Sequence, residues 1–113
     1  MVTIYHNPRC SKSREMLALL NARGLEPDVV LYLQTPPDRG TLQILLQKLG
    51  MQSARELMRT KEAIYRELAL GDKNESALLD ALAENPVLIE RPIVINGDRA
   101  RIGRPPEAVL DIL

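Results

Sequence analysis

The residues best suited to chemistry lie close together near the start of the chain. The only cysteine, Cys10, is four positions from the only histidine, His6. A thiolate is a strong nucleophile, and nearby cations or a helix N-terminus lower the pKa of a cysteine below its usual value of about 8.5. Arg9, Lys12 and Arg14 supply positive charge on both sides of the cysteine. We therefore predict a nucleophilic thiolate in an anion-binding site.

Cys10 and Ser13 have the spacing of a C-x-x-C dithiol in which a hydroxyl replaces the second sulfur. Because the chain has no other cysteine, an oxidised Cys10 must be reduced by a thiol from another molecule. Two alternatives stay open at this point: a small buried apolar cysteine, and a phosphate-binding turn in which the thiol takes no part. His6 either helps to keep the thiolate ionised or is a structural hydrogen-bonding residue.

The elements on either side of the cysteine are expected to place it at a strand-to-helix turn. Residues 2–5 form a short apolar run that predicts a strand, and residues 14–23 have helical periodicity that Gly24 closes. The cysteine then lies at the positive end of a helix dipole. Residues 28–33 predict a second strand, buried on both faces. A strand–helix–strand unit of this length makes the two strands parallel.

Residues 38–84 are predicted to form an all-helical insertion, because apolar positions recur at helical spacing and capping residues precede each run. The expected helix starts are caps at Asp38 or Thr35, at Ser53 or Gln52, and at Asn74 or Ser76. The expected helix ends are Gly50, Gly71 and the Asn85-Pro86 pair. We expect Arg55, Arg66, Arg99 and Arg101 to be surface charges.

The last part of the chain predicts a hairpin followed by a helix. Asn96-Gly97 is a strong hairpin signal between two apolar runs, and residues 107–113 follow Pro105-Pro106 as a final helix. The predicted order is therefore β-α-β, helices, β-β-α. This order is typical of the thioredoxin-like α/β fold, a four-stranded mixed sheet with helices on both faces, here as a single domain spanning residues 1–113.

Composition excludes several classes of function. The formal net charge is zero, so no general basic field favours nucleic acid or a membrane surface, and the absence of Phe and Trp argues against base stacking. We expect no membrane helix, signal peptide or bound cofactor. One cysteine and one histidine do not make a usual zinc site. A free thiol fits a reducing compartment, so we expect a cytoplasmic protein.

Four segments together resemble the ArsC family of arsenate reductases, which rely on glutathione and glutaredoxin. They are residues 4–10 (IYHNPRC), 57–59 (LMR), 90–94 (ERPIV) and 103–107 (GRPPE), and they occur in the family's order. The opening YHNPRCSKS is especially similar to the YfgD-type branch. The resemblance covers essentially the whole chain and implies a thioredoxin-like fold.

The resemblance also implies roles for individual residues. Cys10 would be the nucleophile, His6 would help to keep it ionised, and Ser13 would donate a hydrogen bond to the thiolate. The family's three anion-binding arginines match Arg59, Arg91 and Arg104, and the family's cis proline matches Pro92. Arginine suits an arsenate oxyanion because its planar guanidinium offers paired donors and keeps its charge.

The implied reaction is reduction of arsenate to arsenite through Cys10, with glutathione as co-substrate and glutaredoxin as partner. Two alternatives remain: a monothiol oxidoreductase that handles glutathione mixed disulfides, and an Spx-like redox regulator that binds RNA polymerase. Ser13 argues against the regulator, because such sensors usually carry a C-x-x-C switch. A low-molecular-weight phosphatase mechanism is excluded because it needs C-x5-R, and Met16 occupies the arginine position.

Overall fold

A mixed four-stranded sheet forms around the first strand of the chain. In the computed structural model, which describes residues 1–113, β1 (Val2–Tyr5) pairs parallel with β2 (Asp28–Val30) and antiparallel with β3 (Ile93–Asn96). β3 in turn pairs antiparallel with β4 (Arg99–Ile102), so the strand order is β2-β1-β3-β4. The predicted thioredoxin-like α/β fold is confirmed.

The chain divides into two compact units. The first contains residues 1–35 and 91–113, and the second contains residues 36–90. The predicted helical insertion at about 38–84 falls inside the second unit. No helix in the structure is both long enough and apolar enough to span a membrane.

In the first unit, helix α1 (Ser11–Ala22) follows directly after the cysteine, and Gly24 adopts a φ of +78° just beyond the helix end. A 3₁₀ helix at Pro106–Ile112 closes the chain, where the sequence predicted an ordinary helix over 107–113. Apolar side chains of both helices and of the sheet form one core. Its buried members are Val2, Ile4, Met16, Leu20, Val94, Val109 and Ile112.

Two details of the sheet differ from the prediction. β2 has only three residues, and it is not buried on both faces: Asp28 and Val29 are exposed and Val30 is half-buried. The physical reason is its position at the sheet edge, where it pairs with β1 alone. In the hairpin, Asn96 belongs to β3 and pairs with Arg99, so the turn is made by the two residues between them.

The second unit is mainly helical, as predicted. It contains α2 (Arg39–Leu49), α3 (Ala63–Glu67), α4 (Glu75–Glu84) and 3₁₀ turns at Ala54–Leu57, Leu70–Asp72 and Pro86–Leu88. The predicted caps at Asp38, Ser53 and Asn74 are confirmed by hydrogen bonds from backbone N–H groups to their side chains. The end of α3 was predicted wrongly: the helix stops at Glu67, and Gly71 lies within the following 3₁₀ turn.

Candidate functional site

Cys10 is held at the start of α1 by a tight turn. Its backbone N–H donates to the carbonyl oxygen of Asn7 at 2.9 Å, and the N–H of Arg9 donates to the side-chain oxygen of Asn7 at 3.0 Å. The carbonyl of Cys10 accepts the first helical hydrogen bond, from the N–H of Arg14 at 3.0 Å. The half-buried thiol therefore stands at the N-cap position, among N–H groups that have no partner within the helix.

The surroundings of Cys10 favour the thiolate. Burial raises the pKa of the thiol, but the backbone N–H of Ser13, the charge of Arg91 and the backbone N–H of Lys12 together outweigh burial, and the pKa is lowered. Among the cations, it is Arg91, far away in sequence, whose charge acts on the sulfur.

A buried hydrogen-bond network lies behind the cysteine turn. The hydroxyl oxygen of Ser13 is 2.6 Å from Nδ1 of His6, and it accepts the backbone N–H of Asn7 at 3.0 Å. The Ser13 hydroxyl makes no other hydrogen bond that could use its proton, so we assign this proton to the bond with His6, which leaves Nδ1 as the acceptor and the imidazole proton on Nε2. Burial and the charge of Arg14 lower the pKa of His6, in agreement with a neutral ring.

This network places the two predicted helpers differently from the expectation. The Ser13 hydroxyl bonds to His6 and Asn7, and it is the Ser13 backbone N–H that acts on the thiol. Asn7 had no predicted role, although an Asn-Pro pair is a typical turn signal. His6 and Ser13 therefore act on the cysteine through the backbone of the turn and not through a side-chain hydrogen bond to the sulfur.

Arg91 and Arg104 both belong to the first unit. The predicted cis peptide bond between Arg91 and Pro92 is confirmed, and a second one joins Arg104 to Pro105. Nε of Arg104 donates to the carbonyl oxygen of Arg91 at 2.7 Å, which ties the two arginines together. Nε of Arg91 is buried and has no hydrogen-bond partner in the protein. A buried donor without a partner is rare, so it calls for an explanation.

Arg59 belongs to the second unit. Its backbone N–H donates to the carbonyl of Leu88 at 2.7 Å, beside an isolated antiparallel bridge between Met58 and Ile89. Its guanidinium is 2.7 Å from a carboxylate oxygen of Glu62 and 3.8 Å from one of Glu90. The sequence interpretation missed this pairing, which forms across a turn that the Glu62 N–H closes by donating to the Arg59 carbonyl oxygen at 3.1 Å.

One predicted surface charge has a structural role. Arg55 is half-buried, and its guanidinium donates to the hydroxyl of Tyr65 and to the carbonyl oxygens of Leu70 and Lys73. The expectation of a solvated side chain was wrong here because the carbonyls come from a 3₁₀ turn that the sequence pattern did not reveal. No group of three or more His, Cys, Asp or Glu side chains that could hold a metal ion is present.

Comparison with known proteins connects this geometry to a family. Residues 5–112 match the ArsC family. The chain belongs to the ArsC family. It is 62% identical to Escherichia coli K12 uncharacterized protein YfgD over 99% of this chain and 96% of that protein. It is 54% identical to a Haemophilus influenzae protein named arsenate reductase, over 99% of this chain and 98% of the relative.

A solved structure shows that the resemblance extends to the fold of the ArsC domain. The structure named arsenate reductase from Vibrio cholerae superposes with a TM-score of 0.97 at 55% sequence identity, covering 99% of this chain and 97% of the other. The segments that carry Cys10, Arg91 and Arg104 all fall inside the matched region.

Proposed function

We propose that this ArsC-family protein is an arsenate reductase that uses glutathione and glutaredoxin as electron donors. The observation that carries the proposal is a thiol of lowered pKa beside an arginine with an unpartnered buried N–H. A nucleophile and an anion receptor are thus adjacent. Relatives that share most of this chain are named arsenate reductases.

In the first step the thiolate of Cys10 attacks arsenic(V). A sulfur–arsenic bond forms, an arsenic–oxygen bond breaks, and the oxygen leaves as water after taking up protons from solvent. Arg91 and Arg104 supply charged N–H donors to the oxyanion, and the N-terminus of α1 adds its partial positive charge. Preorganised donors of this kind stabilise negative charge as it redistributes during substitution.

In the second step a glutathione thiolate attacks the sulfur of Cys10. A disulfide bond forms, the sulfur–arsenic bond breaks, and its electron pair stays on arsenic, which leaves as arsenite. Glutaredoxin then takes the glutathione from Cys10 by thiol–disulfide exchange and regenerates the thiolate. These reactions need a reducing compartment, so we place the protein in the cytoplasm.

The remaining site residues are assigned roles within the same proposal. His6 and Ser13 hold the turn that presents Cys10, through the hydrogen bonds to Nδ1 and to the Asn7 N–H. The family resemblance adds Arg59 as a third oxyanion-binding arginine, and this role rests on the resemblance alone.

The test is arsenate-dependent NADPH consumption in the presence of glutathione, glutaredoxin and glutathione reductase. Cys10→Ser should abolish turnover. Arg91→Lys keeps the charge but loses the planar fork, and it should lower kcat/KM by about tenfold or more, the value of one charge-assisted hydrogen bond. Arg23→Ala is the matched control, because Arg23 is an exposed arginine at the end of α1.

Absence of arsenate-dependent consumption with folded wild-type protein would refute the proposal. If Cys10 still exchanged glutathione rapidly in that case, the monothiol oxidoreductase would be the better description. Arg59→Ala tests the third arginine separately, since it should raise KM for arsenate while Cys10 keeps its thiol reactivity.

A further inference from the structure

A cleft of about 260 Å³ lies in the first unit, next to the cysteine turn. One wall is the segment from His6 to Arg9, which leads directly into Cys10. The opposite wall is the segment after β2, where Leu33 is 41% exposed and Gln34 is also exposed. None of the hydrogen-bond partners of the thiol comes from this second wall, so the mechanism above leaves the cleft unused.

The polar groups of the cleft are mainly donors. His6 lines it, and with Nδ1 occupied by Ser13 its protonated Nε2 has no partner and is not fully buried. Asn7 uses its side-chain oxygen for the N–H of Arg9, which leaves its NH₂ group as the free end. The guanidinium of Arg9 is exposed and takes part in none of the ion pairs of the chain.

We propose that this cleft binds glutathione, with the cation of Arg9 pairing with a carboxylate of the tripeptide. Glutathione carries two carboxylates and two peptide carbonyls, so a wall of N–H donors with an unpaired cation complements it in charge and in hydrogen bonding. The amide of Gln34 offers both a donor and an acceptor to a peptide group from the opposite wall. The exposed side chain of Leu33 supplies an apolar contact.

The cleft adjoins the nucleophile along the chain, because its first wall ends at Arg9, the residue immediately before Cys10. In glutathione the cysteine is the residue next to the glycine carboxylate. A tripeptide that pairs this carboxylate with Arg9 is therefore expected to present its thiol towards Cys10. This site rests on the proposed function, in which a glutathione thiol attacks Cys10.

The experiment measures glutathionylation of Cys10 without arsenate. In this reaction the Cys10 thiolate attacks oxidised glutathione, a disulfide forms and one glutathione thiolate leaves. The second-order rate constant is followed by intact-protein mass spectrometry, and it is compared with that for 2-hydroxyethyl disulfide, which is neutral. The variants are Arg9→Ala, the charge-preserving Arg9→Lys, and Gln34→Ala, with Arg23→Ala as the control.

Arg9→Ala should lower the rate constant for oxidised glutathione about fivefold, the value of a good exposed ion pair, and leave that for the neutral disulfide unchanged. Arg9→Lys should recover most of the loss, and added salt should reduce the wild-type preference. Equal losses with both disulfides would overturn the site, because Arg9 would then act only on the thiol. A rate constant for oxidised glutathione that is unchanged in both Arg9→Ala and Gln34→Ala would overturn the site as well.

The outcome is separable from that of the proposed function. A wild-type protein that fails to reduce arsenate but distinguishes the two disulfides through Arg9 supports the cleft and refutes arsenate reduction. A protein that reduces arsenate but treats both disulfides alike in every variant refutes the cleft alone.

Discussion

Replacement of Ser13 by alanine removes the centre of the network behind the cysteine turn. The side chain is 0% exposed, and its hydroxyl serves both Nδ1 of His6 and the backbone N–H of Asn7. Each buried polar group left without a partner costs about 1–3 kcal/mol. Because Asn7 is only half-buried, water can compensate part of the second loss. We therefore expect Ser13→Ala to lower the free energy of unfolding by roughly 2–4 kcal/mol.

The assay is urea denaturation followed by far-UV circular dichroism, with Ser11→Ala as the control. Ser11 is the first residue of α1 and is exposed, so its replacement should change the free energy of unfolding by less than about 0.5 kcal/mol. A domain of ordinary stability, about 5–15 kcal/mol, remains folded after the larger loss. The pKa of Cys10 can therefore be measured in the same variant.

That second measurement separates two roles for the hydroxyl. If Ser13 acts on the sulfur through its backbone N–H, Ser13→Ala keeps that donor and the pKa of Cys10 stays below its ordinary value. A stability loss under about 0.5 kcal/mol together with a clear rise in the thiol pKa would refute the reasoning. The hydroxyl would then be a donor to the thiolate and not the link between His6 and Asn7.

Three further predictions concern packing and protonation. A Cβ on Gly103 would lie 2.5 Å from Cε of the fully buried Met16. Gly103→Ala should therefore lower the free energy of unfolding, measured by urea denaturation, by about 1–3 kcal/mol. The rate of Cys10 alkylation by iodoacetamide should have its pH midpoint below the ordinary thiol pKa, and Arg91→Met should raise that midpoint. The pKa of His6 is lowered on folding, so the folded protein favours the neutral ring. The resulting contribution to the free energy of unfolding is complete above the unfolded pKa of 6.5 and is lost as the pH falls below it, which denaturation at a series of pH values checks.

Each of these has a clear contrary result. If Gly103→Ala lowers the free energy of unfolding as much in a Met16→Ala background as in the wild type, the two side chains do not compete for space. An alkylation midpoint unchanged by Arg91→Met would remove that arginine from the surroundings of the thiol. A pH dependence of stability identical in wild type and His6→Gln would show that the histidine does not titrate differently on folding.

The parts of the fold that depend on local signals could be predicted from the sequence. Helix α2 begins after Asp38, whose carboxylate accepts the N–H of Thr41 at 2.8 Å, and it ends at Gly50, which has a φ of +72°. Both signals are contained in a few adjacent residues. The strand-to-helix turn at Cys10 is of the same kind, which is why the place of this cysteine at the start of α1 was predicted correctly.

Features that depend on distant contacts could not be predicted in the same way. The exposure of β2 follows from its place at the sheet edge, and its apolar sequence resembles that of a buried strand. The cation that acts on Cys10 is Arg91, whereas the local charge pattern pointed to the near neighbours Arg9, Lys12 and Arg14. Arg91 had been selected only through the family resemblance, as an anion-binding residue. Arg55 was taken for a solvated charge because the carbonyls that it binds are set by tertiary structure.

The most direct test of the central claim is a single-turnover measurement with arsenate and glutathione in the absence of glutaredoxin. Arsenite is quantified by chromatography with elemental detection, and glutathione on Cys10 is quantified by mass spectrometry. The proposed chemistry predicts that arsenite and the Cys10–glutathione disulfide form in equal amounts, about one per active thiol, and that neither forms with Cys10→Ser. Folded wild-type protein that produces no arsenite, or Cys10→Ser that produces as much, would contradict the account.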